Sequence, residues 1–201
     1  MLKVGLTGGL ACGKTFVGQA LAELGCHLIQ ADEIGHEVLA PNGEAYAGVV
    51  REFGRGILRE DGSIDRKRLG AEVFGKPDRL ETLNRLVHPH VFRREQELME
   101  GYAKTDPHGI AIVEAAILIE TGRYKSYDRL ILVECDEKQQ MDRALKRDHA
   151  DRPEVLARLS RQLPQPEKRK FADFTIDTSG DKKDTLRRVR EVYDELRRIE
   201  G

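Results

Sequence analysis

The chain has 201 residues, of which 39% are hydrophobic and 34% are charged, and this length suits one compact α/β core with an insertion. Its 34 basic and 35 acidic residues are interspersed, so the net charge of -1 gives no electrostatic reason to expect binding to nucleic acid or to a membrane. Three cysteines without a C-x-x-C pair indicate neither a disulfide framework nor a zinc site, and no apolar run approaches the roughly 18 residues of a membrane span. A strand predicted from Leu2 leaves no room for a signal peptide, so we expect a cytoplasmic protein.

The first predicted elements are a strand, a glycine-rich loop and a helix. Apolar residues alternate over 2–6 as in a short strand, and they recur at helical spacing over 17–24. Residues 8–15 between them are GGLACGKT, which matches the phosphate-binding pattern G-x-x-x-x-G-K-[ST]. A glycine-rich turn that matches by chance is the alternative, and the fit of both flanks disfavours it.

The composition of this loop suits a chain of phosphates. Glycines let backbone N–H groups point inward at conformations that a side chain would obstruct. Lys14 supplies a mobile positive charge for the β- and γ-phosphates, and the hydroxyl of Thr15 is placed to ligate Mg²⁺. The pattern therefore predicts a nucleoside triphosphate site formed by Gly8, Gly9, Leu10, Ala11, Cys12, Gly13, Lys14, Thr15 and Phe16.

The next stretch predicts a largely helical insertion. A second strand is predicted over 26–32 and a short helix over 34–39. Residues 43–106 contain no convincing strand, and helices are predicted there over 45–53, 65–74 and 77–102, with Pro89 kinking or restarting the last one. We expect this block to be a substrate-binding insertion between the second and third strands.

The α/β pattern then returns. Apolar runs over 109–118 and 129–134 predict strands covered on both faces, helices are predicted over 137–148 and 153–163, and a fifth strand over 174–177. A closing amphipathic helix has its predicted apolar face at Leu186, Val189, Val192, Tyr193, Leu196 and Ile199. The sequence predicts a three-layer P-loop fold with a five-stranded, parallel, doubly wound sheet. One domain would have its core at about 1–42, 107–139 and 171–201, the helical insertion at 43–106 and a helical lid at 140–170.

Ligands of such sheets bind beyond the carboxyl ends of the strands, so the residues that follow each strand are candidates for the site. Asp32 is a candidate to accept the proton of an attacking hydroxyl, and its alternative role is to cap the helix at 34. Glu114 ends the most apolar strand and is a candidate to hold Mg²⁺ through water, with a plain strand-end glutamate as the alternative. Glu120 has the same ambiguity.

The segment between the fourth and fifth strands is basic, with Arg143, Lys146, Arg147, Arg152, Arg158, Arg161, Lys168, Arg169 and Lys170. Such a segment suits a lid over ATP, where guanidinium groups neutralise the transferring phosphoryl group, whereas the general alternative is a solvated helix face. Arg147 is the first candidate, followed by Arg143 and Arg158. His88 and His90 lack a cysteine or acidic partner at metal-ligand spacing, which favours a surface or substrate-contacting role.

Six segments carry a further pattern, and in chain order they are residues 4–9 (VGLTGG), 30–36 (QADEIGH), 86–89 (LVHP), 143–148 (RALKRD), 158–162 (RLSRQ) and 168–177 (KRKFADFTID). Together they resemble the dephospho-coenzyme A kinase family. Gln30 stands where the family's D-A-D segment usually begins with aspartate. Residues 114–120 (EAAILIE) keep both acids of the family's D-x-P-L-L-x-E element but lose its proline.

The resemblance implies transfer of the ATP γ-phosphoryl group to the ribose 3′-hydroxyl of dephospho-CoA, the last step of coenzyme A synthesis, with Mg²⁺ as cofactor. It implies that Asp32 is the catalytic carboxylate, that residues 43–106 belong to a CoA-binding domain and that residues 140–170 form the lid. Lys14 and Arg147 complete the catalytic candidates, Arg143 and Arg147 join the loop in binding ATP, and the substrate candidates are Asp32, His36, His88, Glu114 and Arg158. The expected partners are ATP and dephospho-CoA, without nucleic acid or membrane, in a monomer or weak homo-oligomer.

Three other interpretations compete with this one. A nucleoside monophosphate kinase shares the architecture and the phosphate loop, and the segments at 30–36 and 168–177 argue against it. A GTP-dependent switch would need the motif N-K-x-D to bind guanine. The two asparagines, Asn42 and Asn84, are followed by Gly43 and Arg85, so the chain does not contain this motif. A regulatory module would bind ATP and turn nothing over.

Overall fold

The computed structural model describes residues 1–148, 152–160 and 162–201, and it leaves the side chains of residues 147, 148 and 154 undescribed. The described chain forms two units, one of Met1–Gln30 with Gly101–Gly201 and one of Ala31–Glu100. The limits predicted for the insertion and for the lid stay predictions. Within the described residues, no helix combines the length and the apolar character that crossing a membrane requires.

The first unit contains one parallel sheet. Its strands are β1 (Leu2–Gly8), β2 (His27–Gln30), β3 (Ile110–Glu114), β4 (Arg129–Glu134) and β5 (Phe174–Asp177). They lie in the order β2-β3-β1-β4-β5, and each neighbouring pair is parallel. The predicted five-stranded, doubly wound α/β fold is confirmed.

Helices connect these strands. In chain order they are α1 (Lys14–Glu23), α2 (Ala31–Val38), α3 (Tyr46–Phe53), α4 (Arg66–Val73), α5 (Pro77–Thr105), α6 (Glu137–Asp148), α7 (Arg152–Leu159), α8 (Gln165–Arg169) and α9 (Lys182–Glu200). Short 3-10 helices lie at Arg55–Ile57 and Arg123–Ser126. Helices α2 to α4 belong to the second unit, where Val49, Phe53 and Leu69 are among the buried apolar side chains.

The main hydrophobic core of the first unit joins the sheet to α1 and α9. Leu6 of β1 and Ile112 of β3 are fully buried in it, together with Leu21 of α1 and Leu196 of α9. Because both faces of the central strands are covered, their sequences are nearly continuous apolar runs, as expected for a parallel sheet.

Two predicted strands extend too far at their carboxyl ends. Helix α2 begins at Ala31, so Asp32 lies in the first turn of a helix, and its interpretation as the cap of a helix at 34 is wrong. Strand β3 ends at Glu114, although the apolar run continues and Leu118 is buried. A hydrophobic run reports burial rather than conformation, so it cannot mark where a strand ends.

Prolines also divide the chain differently from the prediction. Helix α5 runs unbroken from Pro77 to Thr105 with Pro89 inside, so a restart at Pro89 is wrong. Proline removes one intrahelical donor and crowds the carbonyl four residues before it, so α5 continues through Pro89 at a cost in free energy. A further short helix, α8, follows the predicted helix at 153–163, with Pro164 at its N-cap position and Pro166 in its first turn, where a missing N–H costs little.

The apolar stripe of α9 is narrower than predicted. Val189, Val192 and Leu196 are buried, but Leu186 and Ile199, at the two ends of the stripe, are 43% and 40% exposed. The middle of the stripe therefore carries the packing of this helix on the sheet.

Replacing Leu196 by alanine should lower the free energy of unfolding by roughly 2–5 kcal/mol, because it removes a fully buried side chain from the core. The same replacement at Leu186, on the same helix, should change it by less than about 1 kcal/mol. Urea unfolding followed by circular dichroism measures both variants. Equal losses of unfolding free energy in the two variants would show that the apolar stripe packs on the sheet along its whole length.

Candidate active site

The loop between β1 and α1 follows a path that requires glycine. A Cβ atom on Gly8 would lie 2.2 Å from the carbonyl oxygen of Val133, and one on Gly9 would lie 2.4 Å from Nε2 of Gln140. Gly13 has φ of 84° and lies in the left-handed region that favours glycine. At Gly8 the loop thus approaches the backbone of β4 more closely than a side chain would allow, and at Gly13 its conformation favours glycine.

Positive charge is concentrated at this loop. Lys14 begins α1, and its Nζ donates to the carbonyl oxygens of Gly8 and Gly9 at 3.3 and 3.1 Å. The N-terminus of α1 adds its partial positive charge at the same place. A lysine ammonium and a helix N-terminus behind a glycine loop form a site for phosphate groups.

A chain of hydrogen bonds joins α1 to the ends of β2 and β3. The Thr15 hydroxyl donates to Oε1 of Glu114 at 2.8 Å, and Nε2 of Gln30 donates to Oε2 of Glu114 at 3.0 Å. Hydroxyl and carboxylate oxygens are the ligands that Mg²⁺ prefers, so Thr15 and Glu114 fit this ion. Among the described residues, no group of three or more His, Cys, Asp or Glu is arranged to hold a metal.

Arg143 is attached to the loop through Thr178. Its guanidinium donates to Oγ1 and to the carbonyl oxygen of Thr178 at 3.0 and 2.8 Å. The Thr178 hydroxyl in turn donates to the carbonyl oxygen of Cys12 at 2.9 Å. The structure therefore places this predicted ATP-binding arginine next to the loop.

Cys12 and Cys135 face each other behind the loop. Their Sγ atoms are 3.0 Å apart, and both side chains are buried. The hydrogen bond between the thiols raises the pKa of Cys12, and burial raises it further. The same hydrogen bond lowers the pKa of Cys135. Cys12 thus stays a protonated, tightly packed part of the loop at neutral pH.

The predicted lid segment makes polar contacts with other parts of the first unit. Oε1 of Gln162 accepts from the N–H of Leu10 at 2.9 Å. Nζ of Lys168, fully buried, lies 2.8 Å from Oε1 of Glu120, which also accepts from the N–H of Leu163 at 3.0 Å. Lys168 is therefore an internal ion-pair partner rather than part of a solvated face, and Glu120 holds it.

The remaining predicted residues belong to the second unit, to α7 or to the part of the chain that the structure does not describe. Asp32 and His36 are in α2 and His88 is in α5, all within the second unit. Arg158 lies in the last turn of α7. The side chain of Arg147 and the whole of Arg161 lie outside the described residues.

His90 belongs to a surface ion-pair cluster. Its Nδ1 lies 3.3 Å from Oε2 of Glu44, which also pairs with Arg93. The hydrogen bond from Arg93 lowers the pKa of Glu44. This neighbourhood fits the surface role expected for the histidine.

The sequence pattern assigned no role to Gln30 or to Thr178. Both contacts depend on which strands are neighbours. Gln30 meets Glu114 because β2 lies beside β3, and Thr178 follows β5, which lies beside β4. The sequence feature that could have indicated these two residues is a polar side chain at or just after the end of a strand. The partner of such a side chain becomes known only when the order of the strands is known.

The fold and the loop together define a class. Proteins that carry this glycine-lysine loop between the first strand and first helix of a parallel sheet are P-loop nucleotide-binding proteins, and the chain has that arrangement.

Comparison with known proteins narrows the class. The model of the family described as CoaE, dephospho-CoA kinase, matches residues 2–184. Over 198 residues the chain is 36% identical to the dephospho-CoA kinase of Aquifex aeolicus, covering 98% of this chain and 99% of that protein. It is 39% identical to that of Thermobifida fusca over 198 residues and 98% of each chain. The chain belongs to the dephospho-CoA kinase family, which confirms the resemblance found in the sequence.

Solved structures agree with this assignment. TT1252 from Thermus thermophilus matches with a TM-score of 0.80 and 28% identity over 97% of each chain. The dephospho-CoA kinase from Campylobacter jejuni matches with a TM-score of 0.65 and 26% identity over 96% of each chain. A shikimate kinase from Bacteroides thetaiotaomicron, 12% identical with a TM-score of 0.53 over 97% of this chain and 98% of its own, shares the fold.

Replacing Gly8 by alanine should abolish measurable nucleotide binding, because the new Cβ would overlap the Val133 carbonyl and push the loop aside. Replacing Gly101 in α5, where a Cβ meets nothing within 4 Å, is the control and should leave binding unchanged. Calorimetric titration with ATP measures both. Normal ATP affinity in the Gly8→Ala protein would contradict the close approach described here.

Replacing Glu120 by glutamine should destabilise the protein by roughly 3 kcal/mol or more, because it leaves the buried charge of Lys168 without its counter-ion. The matched control is Glu167→Gln, whose ion pair with Lys170 is exposed and should contribute little. Urea unfolding compares the two variants. A similar midpoint for both would mean that Lys168 is not held as an ion in the folded state.

Proposed function

We propose that the chain is a dephospho-CoA kinase, which transfers the γ-phosphoryl group of ATP to the ribose 3′-hydroxyl of dephospho-CoA and yields CoA and ADP. The observation that carries this proposal is the family match over residues 2–184. The chemistry of the loop supports it independently, because a P-loop with a cation and a hydroxyl-carboxylate pair suits phosphoryl transfer.

Residues 8–16 would hold the ATP phosphates. In this proposal Lys14 neutralises charge on the β- and γ-phosphates, and Arg143 contributes from its anchored position beside Thr178. Arg147 and Arg158 are proposed to act from the lid segment, Arg147 on the transferring group and Arg158 on the substrate. A closed basic segment would also exclude water, which limits idle hydrolysis of ATP.

Thr15 and Glu114 are the residues proposed to hold Mg²⁺, directly through the hydroxyl and through water from the carboxylate. When bound, the ion would neutralise charge on the phosphate oxygens. The protein supplies few ligands of its own, so phosphate oxygens and water would complete the coordination, which is the usual arrangement for Mg²⁺ at nucleotide sites.

Asp32 is proposed to receive the proton of the acceptor. The 3′-oxygen forms a bond to the γ-phosphorus, the bond from that phosphorus to the bridging oxygen of ADP breaks, and the hydroxyl proton passes to the Asp32 carboxylate. Because aspartate is a weak base, we expect it to orient the hydroxyl first and to accept the proton late. His36 and His88 are proposed contacts of dephospho-CoA, with residues 43–106 as the CoA-binding region.

We also propose a cytoplasmic enzyme that works as a monomer or weak homo-oligomer and binds no nucleic acid. Near-neutral charge supports the last point. The three cysteines, all free thiols, suit a reducing compartment.

The test is a mass-resolved assay with Mg-ATP in which dephospho-CoA, AMP, CMP and UMP are offered separately, with water alone as the control for hydrolysis. Conversion of dephospho-CoA to CoA, with little product from the monophosphates, is the expected result. A phosphorylated monophosphate instead would keep the P-loop class and overturn the substrate, and no product with any acceptor would favour the binding-module interpretation.

Asp32→Asn should lower kcat with dephospho-CoA by about 10²- to 10⁴-fold, the range of general acid-base contributions, while ATP affinity stays within about threefold. Glu33→Gln, the exposed carboxylate beside it in α2, is the matched control and should keep normal turnover. Near-normal turnover by Asp32→Asn would remove Asp32 from the catalytic role.

Lys14→Ala should instead weaken ATP binding as well as turnover.

A further inference from the structure

Two polar residues face each other at the last positions of β2 and β3. In the parallel pairing of these strands, Gln30 lies opposite Glu114, so both side chains leave the same face of the sheet. The Gln30 amide donates to Oε2 of Glu114 at 3.0 Å, and the Thr15 hydroxyl donates to Oε1 at 2.8 Å. Each oxygen of the carboxylate therefore has its own donor.

The carboxylate of Glu114 sits in a confined place. Its residue is 8% exposed and lies opposite Leu6 of β1 on its other side. A Cβ added to Gly18 of α1 would come within 3.4 Å of Oε2, so the helix passes directly over the carboxylate. Removing a hydrogen-bond donor from a nearly buried carboxylate costs free energy. The carboxylate then tends to turn toward another partner or toward water.

We propose that Gln30 is a positioning residue of the phosphoryl-transfer site: its amide holds Oε2 of Glu114 and thereby aims Oε1 at the Thr15 hydroxyl. This inference rests on the proposed kinase function, because Thr15 and Glu114 are the pair proposed to hold Mg²⁺. Gln30 itself touches neither the nucleotide nor the ion in this account. It acts through Glu114.

The identity of residue 30 matters for charge as well as for geometry. A carboxylate at this position would face Glu114 directly, and like charges opposite each other on neighbouring strands are destabilising. The amide donates instead of repelling, so the two strand ends present a single negative charge beside Thr15.

The experiment is a double-mutant cycle on Gln30 and Glu114. Gln30→Met keeps the length of the side chain and removes the donor, and Glu114→Gln removes the carboxylate on which Gln30 would act. ADP affinity is measured by calorimetry over a series of Mg²⁺ concentrations and in EDTA, beside kcat and KM with dephospho-CoA. Gln19→Met, the same substitution at an exposed position of α1, is the matched control.

Gln30→Met should raise the Mg²⁺ concentration that gives half of the maximal ADP affinity by about 10- to 100-fold, as for a lost hydrogen bond to a charged group. ADP affinity in EDTA should stay within about twofold of wild type, and Gln19→Met should behave as wild type. In the Glu114→Gln background, Gln30→Met should add less than about twofold, because the residue through which it acts is gone.

An unchanged Mg²⁺ dependence in Gln30→Met, or the same shift in both backgrounds, would overturn the inference and leave Gln30 as a packing residue. If Gln30→Met does not fold, Gln30→Asn, which withdraws the amide by one methylene, should shift the Mg²⁺ dependence in the same direction, and no shift would overturn the proposal. Failure of the proposed function would give a different result. The wild-type protein would then not phosphorylate dephospho-CoA, although the double-mutant cycle measured by ADP affinity would still show coupling between Gln30 and Glu114.

Discussion

The site depends on the register of β1 between its two neighbours. On one side Gly8 lies opposite Val133 of β4, and the carbonyl of that residue leaves no space for a side chain at the start of the loop. On the other side Leu6 lies opposite Glu114 of β3, which brings the carboxylate to the N-terminal turn of α1. One strand therefore fixes both the origin of the phosphate loop and the carboxylate that contacts Thr15. A shift of one residue would turn these side chains to the other face.

The remaining contacts of the loop come from the other half of the sheet. Thr178, just after β5, holds the carbonyl of Cys12, and Cys135, just after β4, packs against its thiol. These are buried, satisfied polar contacts, which fix one arrangement of a segment whose glycines would otherwise allow many. The loop is thus held by elements far apart in sequence, and Arg143, which is bound to Thr178, is positioned by the same contact.

The sequence predicted the fold class, the phosphate loop and β4, β5 and α6 nearly residue by residue, because each of these has a local periodicity or a fixed motif. It placed Asp32 at the end of a strand and extended β3 beyond Glu114, since apolar character continues where the sheet has already ended. It treated Lys168 as one of nine basic residues in a predicted lid, although this residue is buried against Glu120. Burial of a single charge, like the meeting of Gln30 and Glu114, depends on which elements become neighbours, and no local pattern contains that information.

The segment at the end of β2 connects the two halves of the proposed reaction. Gln30 is the last residue of the strand and acts on the side of the nucleotide, through Glu114. Asp32 follows two residues later, in the first turn of α2, where the acceptor hydroxyl would be received. Because Asp32 is so close to Gln30 in the chain, a loss of turnover alone does not separate an effect on Glu114 from an effect on Asp32. Only the route through Glu114 alters the Mg²⁺ dependence of ADP binding, since no acceptor takes part in that equilibrium. The quantity that distinguishes a positioning amide from a disturbed base is therefore a binding constant measured without the acceptor.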